Sequence, residues 1–420
     1  MQWVTIGYWT AVVVAAVFSL LLTGQAFEHR RFARSRSRHR PSAPCRGHVA
    51  LFVPCKGADA DLEGNLRPLF EQDHPSYEIV LVVESEHDPA CQTIRRAMES
   101  YPRTPSRLVV AGLSSCSGQK VHNLLAATER LSVGVEVLAF VDADVCPPRD
   151  WLSRLTARLG SAAVSTGYRA FVPKRPTWAN LVLSSINGAV VPIMFPGKHH
   201  LIWGGSWAIT REAFESSGLR AAWRGTLSDD LIATRVMARV HQRVDAEPMC
   251  MLPSPLDVGW RGMFGFVRRQ LIIGRSYVPI HWYALVAGST ATQALFWGSV
   301  AAFVGGLAAG APWAWQPGAA VGLLYALHLL RAHLRQDAAR YYLPYRQHEL
   351  AAARRFDFWL GPVAGVVGWL ALVSSAFTRR IVWKGIAYEM WPGGAIRRIE
   401  RPAADAASEQ SSSGSVKKAA

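Results

Sequence analysis

Apolar positions along the chain fall into two kinds of run. The short ones are HVALFV at 48–53, EIVLVV at 78–83, RLVV at 107–110 and EVLAFV at 136–141, each the length of a buried strand. Helix-like patterns occupy 60–72, 89–100 and 119–131 between them. Strands alternating with helices at this spacing predict an α/β domain on a parallel, doubly wound sheet. Ligands bind such sheets beyond the carboxyl ends of the strands.

The long runs are of membrane length. Trp3 to Phe27 carries no charge, and about 20 apolar residues suffice to cross a bilayer core. A signal peptide would be shorter and end at a small-residue cleavage site, whereas bulky Phe27 and Glu28 follow here, so the run reads as an uncleaved anchor. Ser276 to Leu330 is 55 residues without Lys, Arg, Asp or Glu, enough for a helical hairpin broken near Gly310, Ala311 and Pro312. Phe358 to Thr378 is a fourth candidate span. Thr177 to Gly197 is also uncharged, but a crossing there would put Asp142 and Asp144 on one side of the bilayer and Asp229 and Asp230 on the other. Asn180, Asn187, Pro192 and Pro196 weaken it further. It reads as an apolar interfacial element or an ordinary core helix.

Charge sets the orientation. RRFARSRSRHR, holding Arg30, Arg31, Arg34, Arg36, Arg38 and Arg40, follows the anchor, and positive residues stay cytoplasmic. This places the next domain in the cytoplasm. The same arginines suit anionic headgroups or serve as a topology signal alone. Four crossings would then leave the C-terminus outside, against Arg379, Arg380 and Lys384, so either one segment is re-entrant or the charge rule fails for the last helix. The expected organisation is an anchor at 1–28, a basic linker at 29–47, the α/β domain at 48–275 and a hairpin at 276–335. A cytoplasmic basic segment at 336–357, a helix at 358–378, a basic juxtamembrane segment at 379–400 and a disordered Ala/Ser-rich tail at 401–420 follow.

Composition agrees with a membrane protein: half the residues are apolar and 16 are Trp. The net charge of +16 does not indicate nucleic acid, because Lys and Arg flank hydrophobic segments instead of gathering on a reading helix. Cys45, Cys55, Cys91, Cys116, Cys146 and Cys250 lack metal-like spacing and read as free thiols. The spans hold essentially no ionisable residue, which speaks against a transporter.

Five segments could carry chemistry. VDADV at 141–145 closes a strand with Asp142 and Asp144, two carboxylates that can both reach a hard divalent cation; Asp also commonly ends strands. SDD at 228–230 opens a helix, where Asp is often a cap, yet Asp229 and Asp230 cannot both be the same cap. Asp230 is the candidate general base. GQKVHN at 118–123 offers Lys120 to donor phosphates or to solvent. Gly204 and Gly205 of WGGS permit close ligand approach or make an ordinary turn. Arg268, Arg269 and Arg275 of FVRRQLIIGRSY bind diphosphate oxygens or flank the membrane.

In order, PCKG, EIVLVVESEHDPA, GQKVHN, VDAD, WGGS, SDD and RRQ resemble glycosyltransferase family 2, most closely its ceramide glucosyltransferase and hopanoid-associated branch, over residues 45–280. The resemblance implies a GT-A (Rossmann-like) catalytic domain, a UDP-sugar donor, Mg²⁺ or Mn²⁺, and single-step inversion at the anomeric carbon. It makes Asp142 and Asp144 the metal and donor aspartates, Asp230 the base and Lys120 a donor contact, with Asp229, Gly204 and Gly205 in the substrate site. Two positions depart from the pattern. Glu84 stands where an Asp is usual, and QxxRW is replaced by Arg268, Arg269 and Gln270. A site beside the bilayer implies a lipid acceptor of ceramide, hopanoid or other glycolipid type, in an inner or plasma membrane. A polysaccharide synthase or an inactive membrane scaffold are the competing readings.

Overall fold

The computed structural model describes residues 2–38, 47–57, 61–194 and 201–402. Helix α1 (Gln2–Arg38) leads into β1 (His48–Pro54), α2 (Leu62–Phe70), β2 (Tyr77–Val83), α3 (Ala90–Ser100), β3 (Ser106–Val110), α4 (Gln119–Glu129) and β4 (Val135–Val141). Then come α5 (Trp151–Thr156), β5 (Val164–Pro173), α6 (Trp178–Val190), β6 (Ser206–Thr210), α7 (Arg211–Ser216), α8 (Leu219–Trp223), α9 (Asp229–Arg239) and β7 (Val244–Leu256). Four long helices, α10 (Trp260–Tyr277), α11 (Pro279–Ala308), α12 (Trp315–Tyr342) and α13 (Ala351–Ser375), precede β8 (Arg380–Trp383), β9 (Ile386–Met390) and β10 (Ile396–Glu400).

The strands and helices expected in the first 141 residues form within a residue or two of their predicted bounds at nearly every end. The seven-stranded sheet runs β3-β2-β1-β4-β6-β5-β7. Expectation and structure part at β6, which is antiparallel to both β4 and β5, so the sheet is mixed and parallel-rich, not wholly parallel. The chain enters β6 through the Gly204–Gly205 turn and runs back along β4, bringing that turn beside the carboxyl end of β4. Every residue of β2 is buried, as in a strand covered on both faces. On one face Phe140 stacks on Trp207 at 4.3 Å and on Phe52 at 5.2 Å, with Trp223 edge-on. Such aromatic pairs add about 0.5–1.5 kcal/mol each beyond area burial.

Helices α1, α11 and α13 are long and apolar enough to cross a membrane. Helix α12 is 28 residues long but charged in its second half. The basic stretch expected as a linker is helical through Arg38, because Arg30 pairs with Asp337 and Arg36 with Glu247, each at 2.6 Å. Arg40 and Cys45 lie outside the described residues, as does the tail from 403.

Side-chain contacts fix where α13 lies relative to the other helices. Near its start α13 is tied by Asp357 to Ser185 of α6, and at its end Ser375 accepts from Trp282 of α11 while Arg275 of α10 caps the carbonyls of Ala376 and Thr378. Helices α6 and α10 pack on β5 and β7 through Leu183, Met263, Val267, Phe171 and Leu256. Helix α13 is therefore held at its start by α6 and at its end by the α10–α11 junction. Beyond it, residues expected as a basic juxtamembrane segment fold into an antiparallel sheet, β10-β9-β8, fastened to the α/β domain by Ile396 N–H to Gly225 O and by Tyr277 Oη to Gly394 O.

Of the two readings of the apolar element from Thr177, it takes the core helix, where Asn180 and Asn187 accept backbone N–H groups of Val258 and Phe171; Pro196 and Gly197 are outside the described residues. One further expectation changes. The spans were expected to hold essentially no ionisable group, yet Asp357, within α13, is fully buried and paired with Arg335 of α12. Asp357 sits one residue before the uncharged run, which is why counting charges within that run missed it.

Candidate active site

Asp142 and Asp144 leave the carboxyl end of β4, as the strand pattern required. Lys120, in the first turn of α4, reaches across to them: its Nζ is 2.8 Å from Asp142 Oδ1, 3.2 Å from Asp229 Oδ2 and 3.1 Å from the carbonyl of Gly204. Helix α4 can start there because Gly118 lies flat against Leu227, where a Cβ would sit 2.8 Å from the leucine methyl. The lysine is thus a buried bridge between two carboxylates, not a solvated side chain. Burial alone would lower its pKa, but Asp142, Asp229 and Asp230 overcome this and raise it, so it stays protonated.

The SDD segment resolves its own ambiguity. Ser228 is the N-cap of α9, its Oγ accepting from Leu231 N at 3.2 Å, so neither aspartate is needed for that task. Asp229 is buried, and burial pushes its carboxyl up to about 7, with Asp230 and Asp142 adding and Lys120 opposing. Its Oδ2 lies within ion-pair reach of Lys120 but accepts no hydrogen bond. Asp230 is partly exposed and held in place: Oδ2 accepts from Gly204 N at 3.0 Å, and Oδ1 accepts from Ser228 Oγ at 2.5 Å and Leu231 N at 2.7 Å.

The two glycines of WGGS prove to be what lets the acids converge. A Cβ on Gly204 would lie 2.7 Å from Asp229 Oδ2, and one on Gly205 would lie 2.6 Å from Asp142 Oδ2 and 2.3 Å from the Trp203 ring. Either would push a carboxylate out of place. Ser206, next in line, accepts from Trp151 Nε1 at 2.9 Å and pins the turn.

One residue had no place in the sequence reading. Arg169 of β5 donates from Nη2 to Asp142 Oδ2 at 3.1 Å and to Asp144 Oδ1 at 3.2 Å, and lies over Trp203 and Phe171. Burial raises the Asp142 carboxyl, but Lys120 and Arg169 prevail and hold it below the usual range. A lone arginine in the otherwise apolar and small stretch around 164–173 was the available signal, and no strand had been expected there to give it meaning.

The remaining candidates divide. Of Arg268, Arg269 and Gln270, consecutive on α10 and hence about 100° apart, Arg269 is the one coupled to the pocket. Its pKa is lowered by burial and by Arg169, with Asp144 opposing, and it lies over Phe266 and Trp383. Gln270 is exposed, and Arg268 is partly buried with its Nε unpartnered. Glu84 follows β2 and pairs with Lys56, leaving Oε2 buried without a partner. The C-terminal sheet, also unforeseen, supplies Tyr388, whose Oη accepts from Gln119 N, and Arg401, which donates to Ser114 O and Gln119 Oε1.

Among the described residues no cluster of three or more His, Cys, Asp or Glu forms a metal cage. The pocket nonetheless suits a hard cation brought with a ligand. Asp142 is taken up by two cationic side chains, while Asp144 has 54% of its side chain exposed and Arg169 as its ion-pair partner. One carboxylate completed by phosphate oxygens is a usual arrangement for Mg²⁺. The described cysteines are all free thiols, as expected.

A family model described as Glycosyl transferase family 21 matches residues 8–396. A stretch covering 25% of the chain is 29% identical to ceramide glucosyltransferase of Komagataella phaffii, and one covering 19% is 27% identical to ceramide glucosyltransferase 1 of Caenorhabditis elegans. The matches span 19% and 17% of those proteins' own lengths. Among solved structures, a mannosyltransferase from Pyrobaculum calidifontis in complex with GDP-Man and Mn²⁺ is 19% identical at a TM-score of 0.45, covering 87% of this chain and 97% of that one. Glucosyl-3-phosphoglycerate synthase of Mycobacterium tuberculosis with Mn²⁺ and UDP-glucose is 11% identical at 0.36, covering 57% and 84%. Superpositions this loose carry no weight for substrate or mechanism.

Proposed function

The chain belongs to glycosyl transferase family 21, and we propose that it transfers a sugar from a UDP-sugar to the hydroxyl of a membrane lipid of ceramide, hopanoid or other glycolipid type, with inversion. The observation that carries this reading is the convergence of Lys120, Asp142 and Asp229 behind the Gly204–Gly205 turn, with Asp230 opening beside them. The short stretches similar to ceramide glucosyltransferases support a lipid acceptor, as do the apolar helices joined directly to the α/β domain. The arginine-rich end of α1 supports a cytoplasmic catalytic domain on an inner or plasma membrane.

In this mechanism the acceptor oxygen bonds to the anomeric carbon as the bond from that carbon to the diphosphate oxygen breaks. The acceptor proton passes to Asp230, and the electron pair leaves with UDP. Asp230 suits the role by access, because Asp229 is enclosed behind Lys120 and serves to hold it. Lys120 and Arg269 are assigned to stabilise the negative charge that grows on the leaving group, Lys120 being held protonated beside Asp142. Glu84, with Oε2 unpartnered, is assigned to the nucleoside side of the donor. Asp144, with Asp142 behind it, would hold Mg²⁺ or Mn²⁺, which supplies Lewis-acid stabilisation of the diphosphate when bound.

The test is transfer by the purified chain in nanodiscs, with UDP-sugars and lipid acceptors, comparing wild type with Asp230→Asn. A glycolipid of inverted configuration is expected. Wild-type turnover in the variant would remove Asp230 from its role, a long polymer as product would move the chain to the polysaccharide synthases, and no binding of any UDP-sugar would leave a scaffold.

A further inference from the structure

Arg169 lies between the carboxylates of Asp142 and Asp144 and bridges them. Its Nη2 bridges Asp142 Oδ2 and Asp144 Oδ1 at 3.1 and 3.2 Å, and Nη1 lies 3.5 Å from Asp144 Oδ2. The residue is 9% exposed, its guanidinium 4.9 Å from the Trp203 ring centre and 5.4 Å from that of Phe171. Its Nε is buried with no hydrogen-bond partner, so the site does not fully satisfy the group.

The two carboxylates would respond differently if the arginine let go. Asp142 keeps Lys120 at 2.8 Å and stays neutralised. Asp144, more than half exposed, would be left with open lone pairs facing the cleft. We propose that Arg169 is the resident counter-ion of the Asp142–Asp144 pair in the donor-free protein, and that it gives up Asp144 to the cation arriving with the nucleotide and turns to the diphosphate. A cation on Asp144 would repel the Arg169 guanidinium that already bridges to it, so the two compete for the same carboxylate. Arg169 thus positions Asp142 and Asp144 before the donor arrives and contacts the diphosphate once it is bound.

This assignment rests on the function proposed above, and the test separates the two. Mn²⁺ binding is measured on the full chain in detergent by electron paramagnetic resonance, with and without UDP, for wild type, Arg169→Gln, Arg169→Lys and Asp144→Asn. Without UDP, Arg169→Gln is expected to bind Mn²⁺ about tenfold more tightly than wild type, by loss of a competing charge, while its affinity for UDP with Mn²⁺ falls. Loss of packing alone would not move the two in opposite directions. Arg169→Lys, which cannot bridge both carboxylates, should lie between, and it carries the test if the glutamine variant does not fold. Mn²⁺ affinity unchanged or weaker in both variants, while wild type still binds UDP with Mn²⁺ through Asp144, overturns the role of Arg169 and leaves the function standing. Absence of any Mn²⁺–UDP binding in wild type, or binding indifferent to Asp144→Asn, overturns the metal reading and this proposal with it.

Discussion

Asp357 and Asp229 are both buried aspartates paired with a cationic side chain, and they are built for different ends. Asp357 accepts from Arg335 through both oxygens, from Ser185 at 2.6 Å and from Gln336 at 2.7 Å, and none of its oxygens lacks a partner. Asp229 has Lys120 as a misaligned neighbour, carries an oxygen without a hydrogen bond, and lies near two more acids, Asp142 and Asp230. In that pocket Asp142, Asp144 and Asp229 outnumber Lys120 and Arg169, the cations that touch them, and Asp230 adds a fourth carboxylate beside them. A saturated network fixes where helices sit, whereas an unsaturated one with excess charge of one sign is poised for a ligand.

The widest separation between the two regions should appear with Asp230→Asn. Transfer should fall by about 10²–10⁴-fold, the usual contribution of a positioned general base, with little change in thermal unfolding. A variant that loses stability and not turnover would erase the distinction. Conversely, Asp357→Leu leaves Arg335 buried without its partner and should cost about 3–5 kcal/mol of stability. Activity per folded molecule should be largely kept. The paired change Asp357→Leu with Arg335→Met should recover much of the loss in detergent unfolding curves; no recovery would show that the pair is not the relevant unit.

A geometric test comes next. Gly205→Ala forces Asp142 or the Trp203 ring aside, and a displacement of this order should lower turnover by about 10²-fold. The same exchange at Gly7, where nothing lies within 4 Å of the added methyl, should be silent in the same assay.

The smallest effect is one of pH. Burial raises Asp229 from the ordinary 3.8 to about 7, so the folded, ligand-free chain retains a proton there that the unfolded chain has already released. The contribution of this group to stability is therefore full below about pH 4 and is lost as pH rises toward 7. Asp229→Asn should flatten that part of the stability profile and gain on wild type at pH 8. Parallel profiles for the two proteins in thermal melts from pH 4 to 8 would show that Asp229 is ionised throughout.

Much of the α/β domain was written in local pattern. HVALFV, EIVLVV and EVLAFV are β-branched and aromatic runs of strand length, and burial on both faces made them strands. VDAD and SDD were legible as chemistry because acids at a strand end and at a helix start are few and well spaced. Arg169 was not legible, since a single arginine in the unrecognised β5 has no periodic signature, and its meaning comes from Asp142 and Asp144, 27 and 25 residues away. The C-terminal sheet was hidden for a similar reason, because its arginines matched the charge expected beside a membrane helix.

By itself the sequence determined the order of strands and helices through residue 141, the apolar lengths that suit a bilayer, and the acidic positions able to carry chemistry. These follow from periodicity and residue type, which are local. Only the tertiary structure decided that Lys120 bridges Asp142 and Asp229, that Gly204 and Gly205 make room for those acids, that Arg169 holds the Asp142–Asp144 pair, and that α13 is tied to α6 and α11. Each depends on contacts between residues far apart along the chain, and what such contacts cost or contribute is set by burial and charge that no single segment contains.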